Sequence, residues 1–209
     1  MQVTIFGANG KVGSLVVAEL LKRGYRVNAF IHSSSSFTPS SMLHLIKGTI
    51  YNEADISTAL KDTDAVISTL GSWGTPNKDI LTSGMKHIIP AMKSKGIQRI
   101  ITLTGADARV EEDQSSIIHN FTHFGISLVA EKVIQDAEQH ISLLQTSNLE
   151  WTTLRSPIMI EGGSSSFKLT NKRPAPWTTV NRHAVVLAMV NMINDKSYLN
   201  QAPFIVRTG

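Results

Sequence analysis

Three glycines, Gly7, Gly10 and Gly13, recur at every third residue in the stretch Ile5-Phe-Gly-Ala-Asn-Gly-Lys-Val-Gly-Ser-Leu-Val16, between an apolar run and a helical pattern. One glycine suffices to pass from a strand into a helix. Three imply that the backbone also comes close to another group, and a phosphate at a helix N-terminus is the usual one. In such a turn Gly7 permits the tight bend, Gly10 lets the backbone approach a pyrophosphate, and Gly13 lets the helix lie close on the sheet. The amides of Asn9, Gly10, Lys11 and Val12 would then face the anion. A glycine-rich turn with no ligand needs no particular surroundings, whereas here a strand from Gln2 to Phe6, a helix from Lys11 to Arg23 and a second strand from Arg26 to Ile31 enclose it. That unit favours a dinucleotide.

The end of the second strand indicates which dinucleotide. An NAD site places Asp or Glu there for the ribose hydroxyls, and an NADP site must keep carboxylates away from the 2′-phosphate. No acidic residue stands between Glu19 and Glu53, and the strand runs instead into His32-Ser-Ser-Ser-Ser36. His32 and Ser33 are expected to contact the phosphate, with Lys11 nearby in the glycine turn. Ser35 and Ser36 read as flexible loop. The expected cofactor is NADPH (NADP).

Other side chains could do chemistry. Trp73, in the glycine-rich stretch Gly71 to Pro76, could stack on a planar substrate or pack over the cofactor. Trp177 lies in a Pro-rich loop and could belong to a lid or to the core. His119 and His123 are spaced for one helix face, but no third ligand of suitable spacing accompanies them, so no metal site is expected. Glu131 and Lys132 read as helix-surface residues.

These residues must be positioned by alternating elements. Strands are expected at Gln2 to Phe6, Arg26 to Ile31, Leu45 to Ile50, Ala65 to Leu70, Arg99 to Leu103, Trp151 to Leu154 and Phe204 to Val206. Helical periods cover Lys11 to Arg23, Glu53 to Lys61, Asp79 to Lys95, Phe121 to Gln145 and Asn181 to Ile193. Strand and helix in alternation require right-handed crossovers, so the expected fold is α/β: a single Rossmann-type doubly wound parallel sheet of about seven strands with helices on both faces. The segments Gly71 to Asn77, Ala106 to Ser116 and Gly162 to Pro176 follow the fourth, fifth and sixth strands, where such a sheet places its ligand crevice. With 209 residues, 42% of them hydrophobic, the chain reads as one domain over 1–209, with a small substrate-side region from about 156 to 209.

Composition narrows the function. No cysteine is present, which excludes disulfides, thiolate metal sites and cysteine nucleophiles. No run of about 18 apolar residues exists to span a membrane, and no signal-peptide pattern opens the chain. A cytoplasmic protein is expected. The net charge of +4 comes from scattered rather than clustered basic residues, which makes nucleic acid an improbable partner.

The spacing Gly7-x-x-Gly10-x-x-Gly13 resembles the short-chain dehydrogenase/reductase superfamily. "DAVISTLG" (Asp64 to Gly71), "RIITLTGADA" (Arg99 to Ala108) and "AEQHISLLQTSNLEWTTLRSP" (Ala137 to Pro157) resemble its atypical, NAD(P)H-binding NmrA-like group, which includes flavin reductase/biliverdin reductase B. The resemblance covers nearly the whole chain. It implies Leu70 and Gly71 near the ribose and Thr104 and Pro157 near the nicotinamide.

The departures bear on function. Mainstream members use a Tyr-x-x-x-Lys pair as acid/base, but none of Tyr25, Tyr51 and Tyr198 has Lys four residues later. The serine common at the end of the fifth strand is replaced by Gly105 or shifted to Thr104, and Ile158 stands about where flavin reductase has a histidine. A site with little acid/base equipment suits acceptors that take hydride and are protonated from solvent. The expected function is therefore an NADPH-dependent oxidoreductase acting on a planar acceptor such as a flavin or quinone, with Thr104 orienting the carboxamide or acceptor. The alternative is an NADP(H)-binding redox sensor with little catalysis. A sugar-nucleotide epimerase is a weaker third, because Tyr-x-x-x-Lys and room for a substrate domain are both missing. Monomer and dimer are equally compatible with the pattern.

Overall fold

In a computed structural model, residues 1–73, 75–110, 113 and 117–208 are described, the side chains of 117–130 excepted. In chain order the elements are β1 (Gln2–Phe6), α1 (Gly13–Lys22), β2 (Arg26–Ile31), β3 (Leu43–Lys47), α2 (Glu53–Ala59), β4 (Ala65–Ser68), α3 (Ile80–Ser94), β5 (Arg99–Gly105) and α4 (Ile117–Gln145). They continue with β6 (Glu150–Ser156), β7 (Ile158–Ile160), β8 (Phe167–Thr170), β9 (Thr179–Asn181), α5 (Arg182–Asn191) and β10 (Phe204–Arg207).

The strands of the main sheet run in the order β3-β2-β1-β4-β5-β6-β10-β8. All neighbours are parallel except β8, which lies antiparallel to β10. Strand order reverses at β1, whose neighbours are β2 and β4, and this switch point opens a crevice at the carboxyl ends of the strands. The central strands β1 and β4 are buried at every residue, as helices on both faces require. On one face Val16, Val17 and Leu20 of α1 pack with Val185 and Met189 of α5. On the other, Ile56 of α2, Met85 and Ile88 of α3, and Ile141 and Leu144 of α4 form a second apolar layer. Arg99 ties the layers together at the opposite end of the sheet. Its guanidinium donates to the Met192 carbonyl, at the end of α5, at 2.6 and 3.2 Å, and burial pushes its pKa down to about 10.

The seven expected strands are present, and an eighth joins them. β8 is a four-residue edge strand with an exposed lysine, too short and too polar for its pattern to stand out among the Ser, Gly and Pro of the surrounding segment. β7 and β9 pair separately as a small parallel sheet beside the crevice. The third strand starts earlier and ends sooner than its apolar run: the Gly48 amide donates to the Ile31 carbonyl at 3.0 Å, and Thr49 and Ile50 bend away into the crevice. β4 likewise stops at Ser68, which leaves Thr69 and Leu70 in the crevice turn.

Candidate functional site

The carboxyl ends of the strands enclose a cavity of about 930 Å³. Its walls run from the ends of β3 and β2, at Tyr51 and His32, past the glycine turn and Leu70 to the ends of β5 and β6, at Thr104 and Pro157. From β2 to β6 is four inter-strand steps, about 19 Å at ordinary strand spacing. That span suits an extended ligand with two chemically different ends.

The glycine turn is built for close approach. Gly7 has a φ of +82°, and a Cβ there would stand 2.9 Å from the backbone and hydroxyl of Thr69. Gly13 starts α1 directly above: its Cβ would lie 2.1 Å from the Gly7 carbonyl oxygen. Both glycines are therefore imposed by packing. Gly10 is exposed on the cavity side, where its amide donates to the Gly7 carbonyl at 3.0 Å. The residue preceding α1, Val12, provides no side-chain cap. Among the described residues the amides of Lys11, Val12 and Gly13 have no backbone acceptor. Open amides at an uncapped helix N-terminus can receive an anion, so the chain's own residues fit the phosphates of a dinucleotide.

The expected site residues can now be placed. Gly7, Asn9, Gly10, Lys11, Val12, His32, Ser33, Leu70, Gly71, Thr104, Pro157 and Trp73 all line the one cavity. Gly13 does not line it and supports the turn from beneath. The Asn9 side chain acts within the protein: its Nδ2 donates to the Ser34 carbonyl at 3.0 Å and its Oδ1 accepts from Ser35 Oγ at 2.7 Å. Ser35, expected to be flexible, thus fastens the loop after β2 to the glycine turn. Lys11, His32 and Ser33 remain exposed at the β2 end, where no carboxylate lines the wall.

At the far end Thr104 is 7% exposed, and its hydroxyl has no protein hydrogen-bond partner among the described residues. Beyond it the walls are largely apolar: Pro157, Ile158, Met159 and Pro174 to Pro176. Trp73 is 69% exposed at the rim. Trp177 is 75% exposed, so it is not a core residue. Glu131 and Lys132 are exposed on α4, and Glu131 accepts a hydrogen bond from Gln135 at 2.9 Å. The side chains of His119 and His123 lie outside the described residues. Among those described, no group of three potential metal ligands occurs.

Several site residues had no visible signal in the sequence. Asp136, buried on α4, accepts from Ser72 Oγ and from the amides of Leu81 and Thr82 at 3.1 and 2.8 Å. It caps α3 from a neighbouring helix and fixes the crevice loop that carries Trp73. Four residues further along α4, His140 is wholly buried, its ring held between Thr102 Oγ1 and the Ala137 carbonyl. Burial pushes its pKa down to about 4, against the opposing pull of the Ala137 carbonyl and Asp136. Tyr51 and Asn77 face each other across the β3 end, the amide donating to the phenol oxygen at 3.0 Å. Asp107, the one carboxylate on the described cavity wall, and Arg173 belong to the β5–β6 end.

A family profile described as NAD(P)H-binding matches residues 7–196, which begins at the first glycine of the turn and ends after α5. The chain belongs to the NAD(P)H-binding family. It is 26% identical over 156 residues to the Bacillus subtilis protein YwnB, covering 74% of this chain and 70% of that one. Among solved structures, a short-chain dehydrogenase/reductase from Veillonella parvula in complex with NADP superposes with a TM-score of 0.79 at 19% identity, over 100% of this chain and 95% of that one. ChuY, an anaerobillin reductase from Escherichia coli O157:H7, superposes with a TM-score of 0.79 at 18% identity, over 99% and 97% of the two chains. At these identities the likeness is one of fold, the Rossmann-type sheet of the short-chain dehydrogenase/reductases. Among the described residues no helix is long and apolar enough to cross a membrane.

Proposed function

We propose that this NAD(P)H-binding chain is an NADPH-dependent oxidoreductase that delivers hydride to a planar acceptor such as a flavin or quinone. The observation that carries the reading is one continuous cavity, with an uncapped helix N-terminus along its middle and, at its end, apolar walls and a Thr104 hydroxyl that has no partner among the described residues. The NADP complex of the Veillonella parvula relative and the reductase named among the structural neighbours support it.

When bound, the reduced nicotinamide supplies the hydride. The chain's own residues bind and orient. The amides of Asn9, Lys11 and Val12, with Gly7, Gly10 and Gly13 shaping the turn, hold the pyrophosphate; the Gly10 amide, expected to join them, is taken by the Gly7 carbonyl. Lys11, His32 and Ser33 hold the 2′-phosphate, which meets no carboxylate at that end of the cavity. Leu70 and Gly71 lie against the ribose. Thr104 and Pro157 fix the ring end, the hydroxyl donating to or accepting from a carboxamide or acceptor atom. Trp73 stacks on the acceptor, and the segment from about 156 to 209 supplies the remaining acceptor walls. No Tyr-x-x-x-Lys relay is present in the sequence, so the proton comes from solvent.

Steady-state reduction of a flavin and a simple quinone by wild type and Thr104→Val tests this. The valine keeps the shape and removes the hydroxyl, so kcat should fall while NADPH affinity stays nearly intact. A Thr104→Val enzyme with wild-type kcat would refute the assigned role.

A further inference from the structure

Apolar side chains scattered singly over a surface need no account. Here they are gathered. Among the described residues seven large ones are exposed, and of these Tyr51, Trp73 and Ile158 line the cavity. Two more adjoin cavity-lining residues in the chain: Ile160 follows Met159, and Trp177 follows Pro176. The remaining two, Met1 and Leu15, do not line it. Ile158 at 63% exposed, Ile160 at 39% and Trp177 at 75% all belong with the segments that wall the acceptor end.

The small β7–β9 sheet produces this arrangement. Ile158 pairs with Thr179 and Ile160 with Asn181, so the pleat puts these four on one face and Met159 and Val180 on the other. Val180 is buried in the core and Met159 packs against it, which leaves the isoleucines on the outer face. Just before β9, a turn in which the Thr178 amide donates to the Ala175 carbonyl at 2.9 Å presents Trp177, while Pro174, Ala175 and Pro176 of the same segment line the cavity. The strip ends in polar groups: Asn181 Nδ2 donates to the carbonyls of Gly162 and Gly163, each at 2.9 Å, and Glu161 pairs with Arg182. Ile158 is at once cavity wall and outer surface, so the apolar lining continues from the acceptor end onto the strip.

We propose that the planar acceptor is a quinone with an apolar tail such as a prenyl chain, its ring entering the cavity and its tail lying on Ile158, Ile160 and Trp177. The inference rests on the reading of this cavity as a reductase's acceptor site. A bare ring would leave the strip in water, whereas a tail removes both apolar surfaces from it. Reduction of the ring takes one hydride from NADPH and one proton from solvent, and hydroquinone and NADP leave. A second copy of the chain suits the strip less well: even at the ~200 Å² that a large aromatic side chain buries, three side chains cover about 600 Å², below the roughly 800 Å² per partner of a stable interface.

The test compares a dimethoxy-methyl-benzoquinone with the same ring bearing two prenyl units, by calorimetric titration of the full chain saturated with NADP. Binding needs no turnover, so a chain that prefers the tailed ring but reduces neither with NADPH refutes the reductase reading and leaves the tail site supported. The tailed quinone should bind about tenfold tighter or more. Ile160 and Trp177 are exposed and do not line the cavity. In the double variant Ile160→Ser/Trp177→Ser the bare ring should therefore bind within about twofold of wild type, and the preference for the tail should fall below about threefold. A wild-type preference below about threefold, or one that survives in the double variant, overturns the proposal. So does a wild-type chain that binds quinone-free phosphatidylcholine vesicles, or sediments as a dimer, where the double variant does neither. Should the double variant fail to fold, Trp177→Ser decides: the preference should drop about twofold or more, and an unchanged one overturns the proposal.

Discussion

A single methyl group at Gly13 tests the architecture of the turn. The Cβ of alanine there would stand 2.1 Å from the Gly7 carbonyl oxygen and 2.7 Å from Thr69 Oγ1, where ordinary contact begins at 3.4 Å. The carbonyl would have to retreat by more than about 1 Å. It cannot retreat alone, because it accepts from the Gly10 amide at 3.0 Å and from Thr69 Oγ1 at 3.1 Å. Overpacking of this kind costs about 1–3 kcal/mol, and alanine's advantage over glycine in a helix returns at most about 1 kcal/mol. A net loss of about 1–2 kcal/mol lowers the Tm by roughly 2–8 °C at this chain length. The displaced turn also takes the Lys11 and Val12 amides away from the cavity, so the NADPH Kd should rise about tenfold or more. Gly105→Ala is the control: Gly105 lines the same cavity, but nothing lies within 4 Å of its added Cβ. Its Tm should stay within about 2 °C of wild type. Thermal unfolding by circular dichroism and NADPH titration by fluorescence give both quantities. A Gly13→Ala protein that melts with wild type and binds NADPH within about twofold would refute the reasoning.

Ser33→Asp should reverse the cofactor preference, since a carboxylate repels the 2′-phosphate and accepts from ribose hydroxyls; the NADPH-to-NADH ratio of Kd should move about tenfold or more, and an unmoved ratio would remove Ser33 from the site. Trp73→Ala should raise the KM for a planar acceptor with kcat little changed, and a change in kcat alone would argue against stacking. His140 titrates at about 4 in the folded chain, and near 6.5 when unfolded. The unfolded chain therefore binds more protons between these values, so stability is full above about pH 6.5 and falls as pH drops towards 4, by up to roughly 3 kcal/mol. Denaturant unfolding of wild type and His140→Gln across that range checks it; equal slopes would contradict the assignment.

The glycine turn and the order of elements were legible because their signals are local. Three glycines at fixed spacing, and apolar runs of strand or helix length, depend on nothing distant in the chain. The same holds for the missing carboxylate after β2, which is read from a single stretch of sequence. What escaped depends on tertiary placement. Asp136 is one acidic residue in a long helix until α4 brings it against the N-terminus of α3. Arg173 in "NKRPAP" looks like a loop cation until Asp113 and Arg155, distant in sequence, surround it. β8 was hidden for the opposite reason: its pairing with β10 overrides a weak local pattern. Ser35 became ordered through Asn9, a residue assigned to the turn on backbone grounds alone.

The central claim is hydride transfer from bound NADPH to a planar acceptor, and a single-turnover stopped-flow experiment tests it most directly. Protein loaded with one equivalent of NADPH is mixed with excess flavin, quinone or azo dye, and the loss of reduced-nicotinamide absorbance is followed against free NADPH. Oxidation faster than in free solution, and slower when the transferred hydrogen of NADPH is deuterium, is the predicted result. Tight NADPH binding with no acceleration for any acceptor in the panel would contradict the reductase and leave an NADP(H) sensor in its place.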